Sequence, residues 1–365
     1  MSSKHIQGPT VVRSMVVLQV TIFYVLLVVC LSGLACAQQE AKSARTDTAI
    51  TGISNPLIEQ RADPWCMRHT DGNYYFTATV PEYDRIELRR AGTIAGLATA
   101  EAKVIWRKHE KGPMSYHIWA PEIHHINGKW YIYFAASRAD AIWAIRMYVL
   151  ECAAADPLVG EWVEKGQLKT HWESFSLDAT TFEHCGVRYL VWAQHDPKIG
   201  GNTNLYIAKM DSPWSIKGPQ VMITKPEYPW EIILFKVNEG PAALIRNERV
   251  FISYSASGTN HNYCMGLLTA NADANLLDAK SWKKSPEPVF KSSPENSQYG
   301  PGHNSFTVTP DGKIDLMFYH ARNYKEIEGD PLRNPDRHTR VQPFGWKPDG
   351  TPDFSEPVPD GPLPK

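Results

Sequence analysis

Residues 63–77, which read DPWCMRHTDGNYYFT, contain the pattern that decides the fold. An acidic residue opens the stretch, a turn signal follows at Asp71-Gly72, and an aromatic run comes next at Tyr74-Tyr75-Phe76-Thr77. Asp-Gly between such runs is a strong hairpin signal, because both residues tolerate the positive φ of a type I′ turn. The stretch therefore predicts two antiparallel strands joined by a tight turn.

The same order of features recurs four more times, at a spacing of about sixty residues. The later copies open and turn at Ala120-Pro121-Glu122 and Asn127-Gly128, Asp178-Ala179-Thr180 and Cys185-Gly186, Glu239-Gly240-Pro241 and Asn247-Glu248, and His303-Asn304-Ser305 and Asp311-Gly312. This spacing leaves room for four strands per copy, which is the content of one propeller blade. Helical periodicity is weak throughout, which argues against alternating strands and helices. We therefore predict an all-β fold, a five-bladed β-propeller.

The residues that open the copies include four acids and one histidine, namely Asp63, Glu122, Asp178, Glu239 and His303. Equivalent positions of successive blades converge beside the central channel of a propeller, whereas a two-layer β-sandwich would not explain this recurrence in register. An isolated Asp at a strand end is more often a turn former than a functional residue. Several acids gathered around one axis repel each other, and a functional site is the usual reason for tolerating that repulsion.

Composition is that of an ordinary globular protein, with 365 residues, 43% of them hydrophobic and 21% charged. The formal net charge of -1 and the pI of about 6.9 give no support to a nucleic acid or an anionic membrane as partner. No feature of the sequence indicates a protein partner. A neutral substrate is the expectation, and the many Trp and Tyr side chains suit either sugar rings or a β core.

The N-terminal segment reads as an export signal. Lys4 and Arg13 precede an uncharged, largely apolar stretch over residues 14–39, and Ala35-Cys36-Ala37 supplies a small-residue cleavage pattern. We predict a signal peptide over residues 1–37, a polar linker over 38–54 and the propeller over 55–365. The apolar stretch is long enough that an uncleaved membrane anchor remains an alternative to a cleaved signal peptide. The sequence around Cys36 also faintly resembles a lipoprotein attachment site. The expected location is secreted, periplasmic or associated with the cell envelope.

The motifs also resemble those of glycoside hydrolase family 43, over about Asn55 to Pro364. The matching motifs are, in order, Ala62-Asp63-Pro64, Trp119-Ala120-Pro121-Glu122, Ser176-Leu177-Asp178, Glu239-Gly240-Pro241 and Gly302-His303-Asn304. Ala179 departs from the family pattern, which usually has Pro there. The resemblance implies that Asp63 is the general base, that Glu239 is the general acid, and that Asp178 orients the acid and raises its pKa. It further implies inversion, with the base and acid about 6.5 to 9.5 Å apart.

The resemblance assigns further residues around the carboxylates. His303 matches a position where many members hold a calcium or other hard ion in a structural role, although a buried core histidine is the simpler interpretation. No cofactor is expected for the chemistry itself. Trp119 and, less directly, Trp65 are candidate walls of a sugar pocket or packing residues of the core. Arg322 resembles a family arginine that bonds sugar hydroxyls, and a structural ion pair is its alternative.

The predicted activity is release of terminal α-L-arabinofuranosyl residues from plant cell-wall arabinan or arabinose-containing oligosaccharides. A β-xylosidase or an endo-arabinanase of the same family would use the same carboxylates, so both remain open. An alternative of another class is a non-catalytic carbohydrate-binding propeller. Intact Asp63, Asp178 and Glu239 argue against it, because a binding module does not need so costly a cluster of acids.

Overall fold

The computed structural model describes residues 50–363. The predicted signal peptide over residues 1–37, most of the predicted linker and the last two residues of the predicted propeller lie outside the described residues. Within the described part of the chain, no helix has both the length and the apolar character needed to cross a membrane.

Five four-stranded antiparallel sheets follow one another along the chain, and each is built from consecutive strands. After β1 (Ser54–Asn55), blade 1 contains β2 to β5, at Ala62–Arg68, Tyr74–Thr79, Arg85–Ala91 and Lys103–Arg107. Blade 2 contains β6 to β9, at Tyr116–Ile126, Lys129–Arg138, Ala141–Cys152 and Val163–Gln167. Blade 3 contains β10 to β13, at Ser176–His184, Val187–Gln194, Asn204–Ser212 and Ser215–Thr224.

The last two blades complete the ring. Blade 4 contains β14 to β17, at Asn238–Arg246, Arg249–Ala256, Cys264–Asn271 and Lys283–Lys284. Blade 5 contains β18 to β21, at Tyr299–Val308, Asp315–Arg322, His338–Trp346 and Pro352–Asp353. Helix is confined to the four residues of α1 and two 3₁₀ turns in the described chain, at Ile94–Leu97, Pro229–Glu231 and Ala279–Ser281. The prediction of an all-β five-bladed propeller is confirmed.

Every predicted hairpin forms between the first two strands of its blade, but the turns are of two kinds. Asn127-Gly128, Cys185-Gly186 and Asn247-Glu248 are two-residue turns in which both residues have positive φ, as a type I′ turn requires. At Asp71-Gly72 and Asp311-Gly312 only the glycine has positive φ, and the loop is longer. In these two loops the Asp carboxylate accepts a backbone N–H two residues ahead, which stabilises the wider turn.

The ring closes between blade 5 and blade 1. The innermost strands β2, β6, β10, β14 and β18 contact their neighbours around the circle, and β18 contacts β2. The first and last described strands are tied together as well, because β1 pairs with β22 (Gly361–Pro362). The buried Asn55 side chain adds a reciprocal pair of hydrogen bonds to the backbone of Val341 in blade 5, at 2.8 and 2.9 Å. Closure therefore fixes the innermost strands around one axis.

Candidate active site

Each innermost strand contains a β-bulge near its start, where two residues leave the regular pairing. The first bulged residue has positive φ, between 45° and 55°, in all five blades, and these residues are Asp63, Ala120, Asp178, Gly240 and His303. A bulge redirects a side chain out of the alternation of the strand. Asp and His are among the residue types that tolerate such a conformation best. The repeated bulge is the local device that directs functional side chains toward the axis.

This register corrects one part of the sequence analysis. Glu122 and Glu239 were aligned there with Asp63 and Asp178, whereas the equivalent residues are Ala120 and Gly240. Glu239 precedes the bulged position by one residue and still reaches the cavity, while Glu122 follows it by two and does not line the cavity. Glu122 is buried beside His124, whose Nε2 lies 3.0 Å from the Glu122 carboxyl.

A cavity of about 430 Å³ opens at this end of the propeller. Its polar lining consists of Asp63, Asp178, Asn202, Thr203, Glu239, Ser257, Thr259, His303 and Arg337. Its apolar lining consists of Trp119, Ala120, Trp143, Phe175, Leu177, Phe235, Val237 and Leu332. The volume and the mixed lining are typical of a small-molecule site. The structure thus brings together the three predicted carboxylates, Trp119 and His303.

Asp63 is buried and surrounded by positive or hydrogen-bonding groups. Thr79 Oγ1 donates to Asp63 Oδ2 at 2.6 Å, and Arg337 Nη1 donates to Oδ1 at 3.3 Å. His303 Nδ1 lies 3.3 Å from the same Oδ1. Burial alone would raise the pKa of Asp63, but the Arg337 guanidinium and the contacts with His303 and His320 together outweigh it and hold that pKa well below its usual range. Asp63 is therefore ionised at neutral pH.

His320 supports Asp63 as a neutral ring. Its Nδ1 accepts the backbone N–H of Asp63 at 3.0 Å, so this nitrogen carries no proton. Burial lowers the pKa of His320 to about 3, which agrees with the neutral state. The ring also stacks on Tyr263, with centroids 5.6 Å apart and planes within 10°. The histidine therefore fixes the backbone that carries Asp63 without adding a charge.

Glu239 is a carboxyl that can still carry a proton near neutral pH. Burial, helped by the charge of Asp63, raises the pKa of Glu239 to about 7. Tyr263 Oη donates to Glu239 Oε1 at 2.8 Å and, with Arg337, opposes part of this rise. Asp63 and Glu239 thus face one cavity with pKa values shifted in opposite directions, which is the arrangement that general acid–base chemistry needs.

Asp178 is tied to the backbone that carries Glu239. Its Oδ2 accepts the N–H of Gly240 at 2.9 Å, and the side chain is buried. Burial and the charges of Glu239 and Asp63 raise the pKa of Asp178 well above its usual range. Because repulsion between two carboxylates acts on both, the Asp178–Glu239 pair resists losing its last proton.

Gly240 cannot be replaced without moving the site. Its φ is +54°, and a Cβ there would lie 3.0 Å from Cγ of His303 and 3.3 Å from its Cα. The absence of a side chain therefore allows blade 4 to approach blade 5 at the level of the carboxylates. His303 is held on the other side by Ser255 Oγ, which accepts its backbone N–H at 2.7 Å.

A metal at His303 remains a prediction. Among residues 50–363, no group of three or more His, Cys, Asp or Glu side chains is arranged to hold an ion. Calcium takes six to eight oxygen ligands, so most would have to come from water and carbonyl groups. Burial lowers the pKa of His303, which leaves a neutral imidazole beside Asp63. The described side chains alone do not form a calcium site.

Trp119 and Trp65 lie in different places. Trp119 forms part of the cavity wall, and His117 stacks behind it at 4.2 Å between ring centroids. Trp65 does not line the cavity. Its Nε1 donates to the carbonyl of Ile123 at 2.8 Å, and its ring packs on His124 with ring centroids 4.7 Å apart. Trp65 is therefore a packing residue, the alternative to a sugar-pocket wall given in the sequence analysis.

Arg322 does not line the cavity either, and it has no carboxylate partner among the described residues. Its guanidinium donates to Asn334 and to two backbone carbonyls. The arginine that touches Asp63 is Arg337, just before β20, where no sequence motif marks it. His320 and Tyr263 were missed as well. His320 lies two residues before Arg322 on the same strand, so strand alternation places both side chains on one face and could have suggested it.

Comparison with known proteins agrees with this geometry. The model of the family described as glycosyl hydrolases family 43 matches residues 53–352. An extracellular exo-alpha-(1->5)-L-arabinofuranosidase of Streptomyces avermitilis is 60% identical over 86% of this chain, and the chain spans 65% of that relative's length. The Streptomyces chartreusis protein of the same name is 56% identical over 80% of this chain and 92% of its own.

A solved structure is similar over nearly its whole length. The crystal structure of an alpha-L-arabinofuranosidase from Lactobacillus brevis matches with a TM-score of 0.83 and 56% identity, covering 85% of this chain and 98% of the other. The family match extends from the start of the propeller to its last blade, across all five bulges. The chain belongs to glycosyl hydrolase family 43.

Proposed function

We propose that the protein is an exo-acting α-L-arabinofuranosidase that removes terminal α-L-arabinofuranosyl residues from arabinan or arabinose-containing oligosaccharides. One observation carries this proposal: Asp63 and Glu239 line a single cavity with pKa values shifted in opposite directions. The names of the relatives, which are arabinofuranosidases, support the choice of sugar. The two Streptomyces relatives are named extracellular, which supports export of this protein as proposed from its N-terminal sequence.

The two carboxyls divide the work of cleaving a glycosidic bond. Glu239, still protonated near neutral pH, gives its proton to the departing glycosidic oxygen. Asp63, ionised by Arg337, takes a proton from a water molecule that attacks the anomeric carbon from the opposite face. The outcome is inversion, in which the leaving group gains the Glu239 proton and the new hydroxyl comes from water. Asp178 orients Glu239 through the Gly240 backbone, whose N–H it accepts.

Apolar side chains at the cavity mouth suit the next sugar of the substrate. Trp143 and Phe235 line the cavity and are each 55% exposed, so they present aromatic surface to solvent beside the carboxylates. Exposed aromatic groups at the rim of a polar site are typical of binding surfaces. A sugar held in the cavity would place the remainder of the oligosaccharide across this rim, where ring faces can pack against it.

Product analysis on debranched arabinan tests the proposal. Wild-type protein should release arabinose as the first and main product, and Glu239→Ala should release none above background. Oligosaccharides as the first products would indicate endo action. Parallel assays with p-nitrophenyl α-L-arabinofuranoside and p-nitrophenyl β-D-xylopyranoside determine which sugar the protein releases. Activity confined to the xyloside would contradict the proposal and indicate a β-xylosidase. Binding of arabinan without any release would show a non-catalytic propeller.

The pH dependence of kcat/KM follows from the two pKa shifts. Activity should persist below about pH 4, the ordinary range of an Asp, and fall only at still lower pH, because the base is lost when Asp63 takes a proton and its pKa is held well below that range. Activity should also fall as pH rises through about 7, because the acid is lost when Glu239 gives up its proton. The plateau should therefore lie between these limits. Initial rates at low substrate concentration from pH 3 to 9 measure it, and a plateau extending above pH 8 would contradict the assignment of Glu239.

Removal of the rim aromatics should affect long substrates more than short ones. Trp143→Ala and Phe235→Ala are each expected to lower kcat/KM on arabinotriose about tenfold, as loss of one buried aromatic contact would. The effect on p-nitrophenyl α-L-arabinofuranoside should be much smaller, since that substrate has no second sugar. Leu234→Ala is the matched control, because Leu234 is 66% exposed beside Phe235 and does not line the cavity. Equal losses on both substrates would contradict this placement of the chain.

A further inference from the structure

Arg322 is a fully buried arginine held without a carboxylate. Its side chain is 1% exposed, at the end of β19. Nε donates to Asn334 Oδ1 at 2.8 Å, Nη1 to the carbonyl of Thr259 at 2.9 Å, and Nη2 to the carbonyl of Pro331 at 2.8 Å. Burial, with the nearby Arg337 cation, lowers the pKa of Arg322 to about 9. Burying a cation among neutral oxygens, without a carboxylate partner, costs desolvation free energy and destabilises the fold.

The three acceptors belong to two loops that both reach the cavity. The blade 5 loop, residues 323–337, lies between β19 and β20 and carries Leu332 and Arg337 into the cavity wall. The blade 4 loop, residues 257–263, lies between β15 and β16 and carries Ser257 and Thr259 into the same wall. A single guanidinium therefore bonds to loops of two blades from behind the cavity.

A short chain of hydrogen bonds leads from Arg322 to Asp336, the residue directly before Arg337. Asn334 Oδ1, which accepts from Arg322, also accepts the backbone N–H of Asp336 at 3.1 Å. Tyr324 Oη accepts from Asn334 Nδ2 and donates to Asp336 Oδ2, each at 2.8 Å. These contacts fix the backbone immediately before Arg337, whose guanidinium contacts Asp63.

We propose that Arg322 is a positioning residue that ties the blade 4 loop to the blade 5 loop and thereby sets the place of Arg337 beside Asp63. The inference rests on the proposed function, because it assigns Arg322 to the hydrolytic site through Arg337. The planar guanidinium explains the choice of residue. Three donors in a fixed fork can hold three separate acceptors at once, and the flexible ammonium of Lys cannot reproduce that geometry.

Arg322→Lys tests the proposal by its pH profile. Arg337 should move from Asp63, and the acidic limb of kcat/KM should then shift to higher pH, because the guanidinium lowers the pKa of Asp63. Plateau kcat/KM should fall about 10- to 100-fold, as small misplacements in active sites do. The other titratable groups that face Asp63 are His303, His320, Asp178, Glu239 and Tyr263, and the variant leaves all of them in place.

Arg340→Lys is the matched control. Arg340 is also fully buried in blade 5, but it pairs with Asp360 and contacts no cavity residue. Its variant should keep the acidic limb of the wild type, whatever its thermal stability. Asn334→Ala provides a second test that retains Arg322 and should shift the limb in the same direction. If Arg322→Lys does not fold, Asn334→Ala decides alone.

A crystal structure of the folded variant separates this proposal from the proposed function. The distance from Arg337 Nη1 to Asp63 Oδ1, 3.3 Å here, should lengthen in Arg322→Lys and stay unchanged in Arg340→Lys. This readout does not depend on any activity. An unchanged distance together with a wild-type acidic limb would overturn the role of Arg322, as would an equal shift in Arg340→Lys. A wild-type protein that releases no arabinose would instead overturn the proposed function.

Discussion

Glu239→Gln is expected to lower kcat on arabinotriose by about 10²- to 10⁴-fold, the usual contribution of a general acid. Gln has nearly the shape of Glu and can still accept the hydrogen bond from Tyr263, which is 2.8 Å away in the wild type. The lost property is the proton with a pKa of about 7. Stopped assays of arabinose release over a range of substrate concentrations give kcat and KM separately, and KM should change little.

The leaving group supplies the control for Glu239. p-Nitrophenolate departs readily without a proton, so the loss of kcat on p-nitrophenyl α-L-arabinofuranoside should be far smaller than on arabinotriose. The basic limb of the pH profile should also disappear on the aryl substrate, because no acid remains to titrate. An equal loss on both substrates would mean that Glu239 is not the proton donor.

Asp63→Asn is expected to lower kcat by a similar factor of about 10²–10⁴, and to do so on both substrates. The attacking water needs a base whatever the leaving group is, and an amide cannot take its proton. The charge partner of Arg337 is lost as well. Because Arg337 is only 7% exposed, its guanidinium would remain buried without its carboxylate, and the variant should unfold at a lower temperature.

The kcat of Asp63→Asn must therefore be measured under conditions in which the variant is folded. Circular dichroism at rising temperature defines the range in which wild type and Asp63→Asn are both folded, and kcat is compared within that range. A loss of less than tenfold on the aryl substrate would contradict the assignment of Asp63 as base. So would a loss that is large on arabinotriose and negligible on the aryl glycoside.

The sequence predicted the fold well because its signals are local. Five hairpins in order, each with an opening residue, indicate five blades without knowledge of any long-range contact. The exact register of the bulged residues in the innermost strands was harder to predict from the sequence. A bulge inserts unpaired residues into a strand, so Glu239 and Glu122 could be aligned with Asp63 although Gly240 and Ala120 are its structural equivalents.

The carboxylates were within reach of sequence reasoning because each lies at the first bulged position of its blade or directly before it, at the opening of a recurring unit. Arg337 and Tyr263 were not, because they come from loops that repeat no motif, and only its position two residues before Arg322 on the same strand pointed to His320. The roles of Arg337 and His320 arise only when blade 5 closes on blade 1, which brings residues 274 and 257 positions apart in sequence into contact with Asp63. Tyr263 instead bonds to Glu239 within blade 4. Arg322 is the opposite case. Its motif predicted a substrate-binding residue, but its side chain lies behind the cavity and does not line it.

The anomeric configuration of the first-formed sugar tests the central claim most directly, since it reports how Asp63 and Glu239 share the reaction. Proton NMR of an α-L-arabinofuranoside digest, recorded before mutarotation, distinguishes the two anomers of the released arabinofuranose. Base-assisted attack of water on the face opposite the leaving group predicts the β anomer first, with the α anomer growing in later. Initial release of the α anomer would contradict the assignment of Asp63 as a base acting through water.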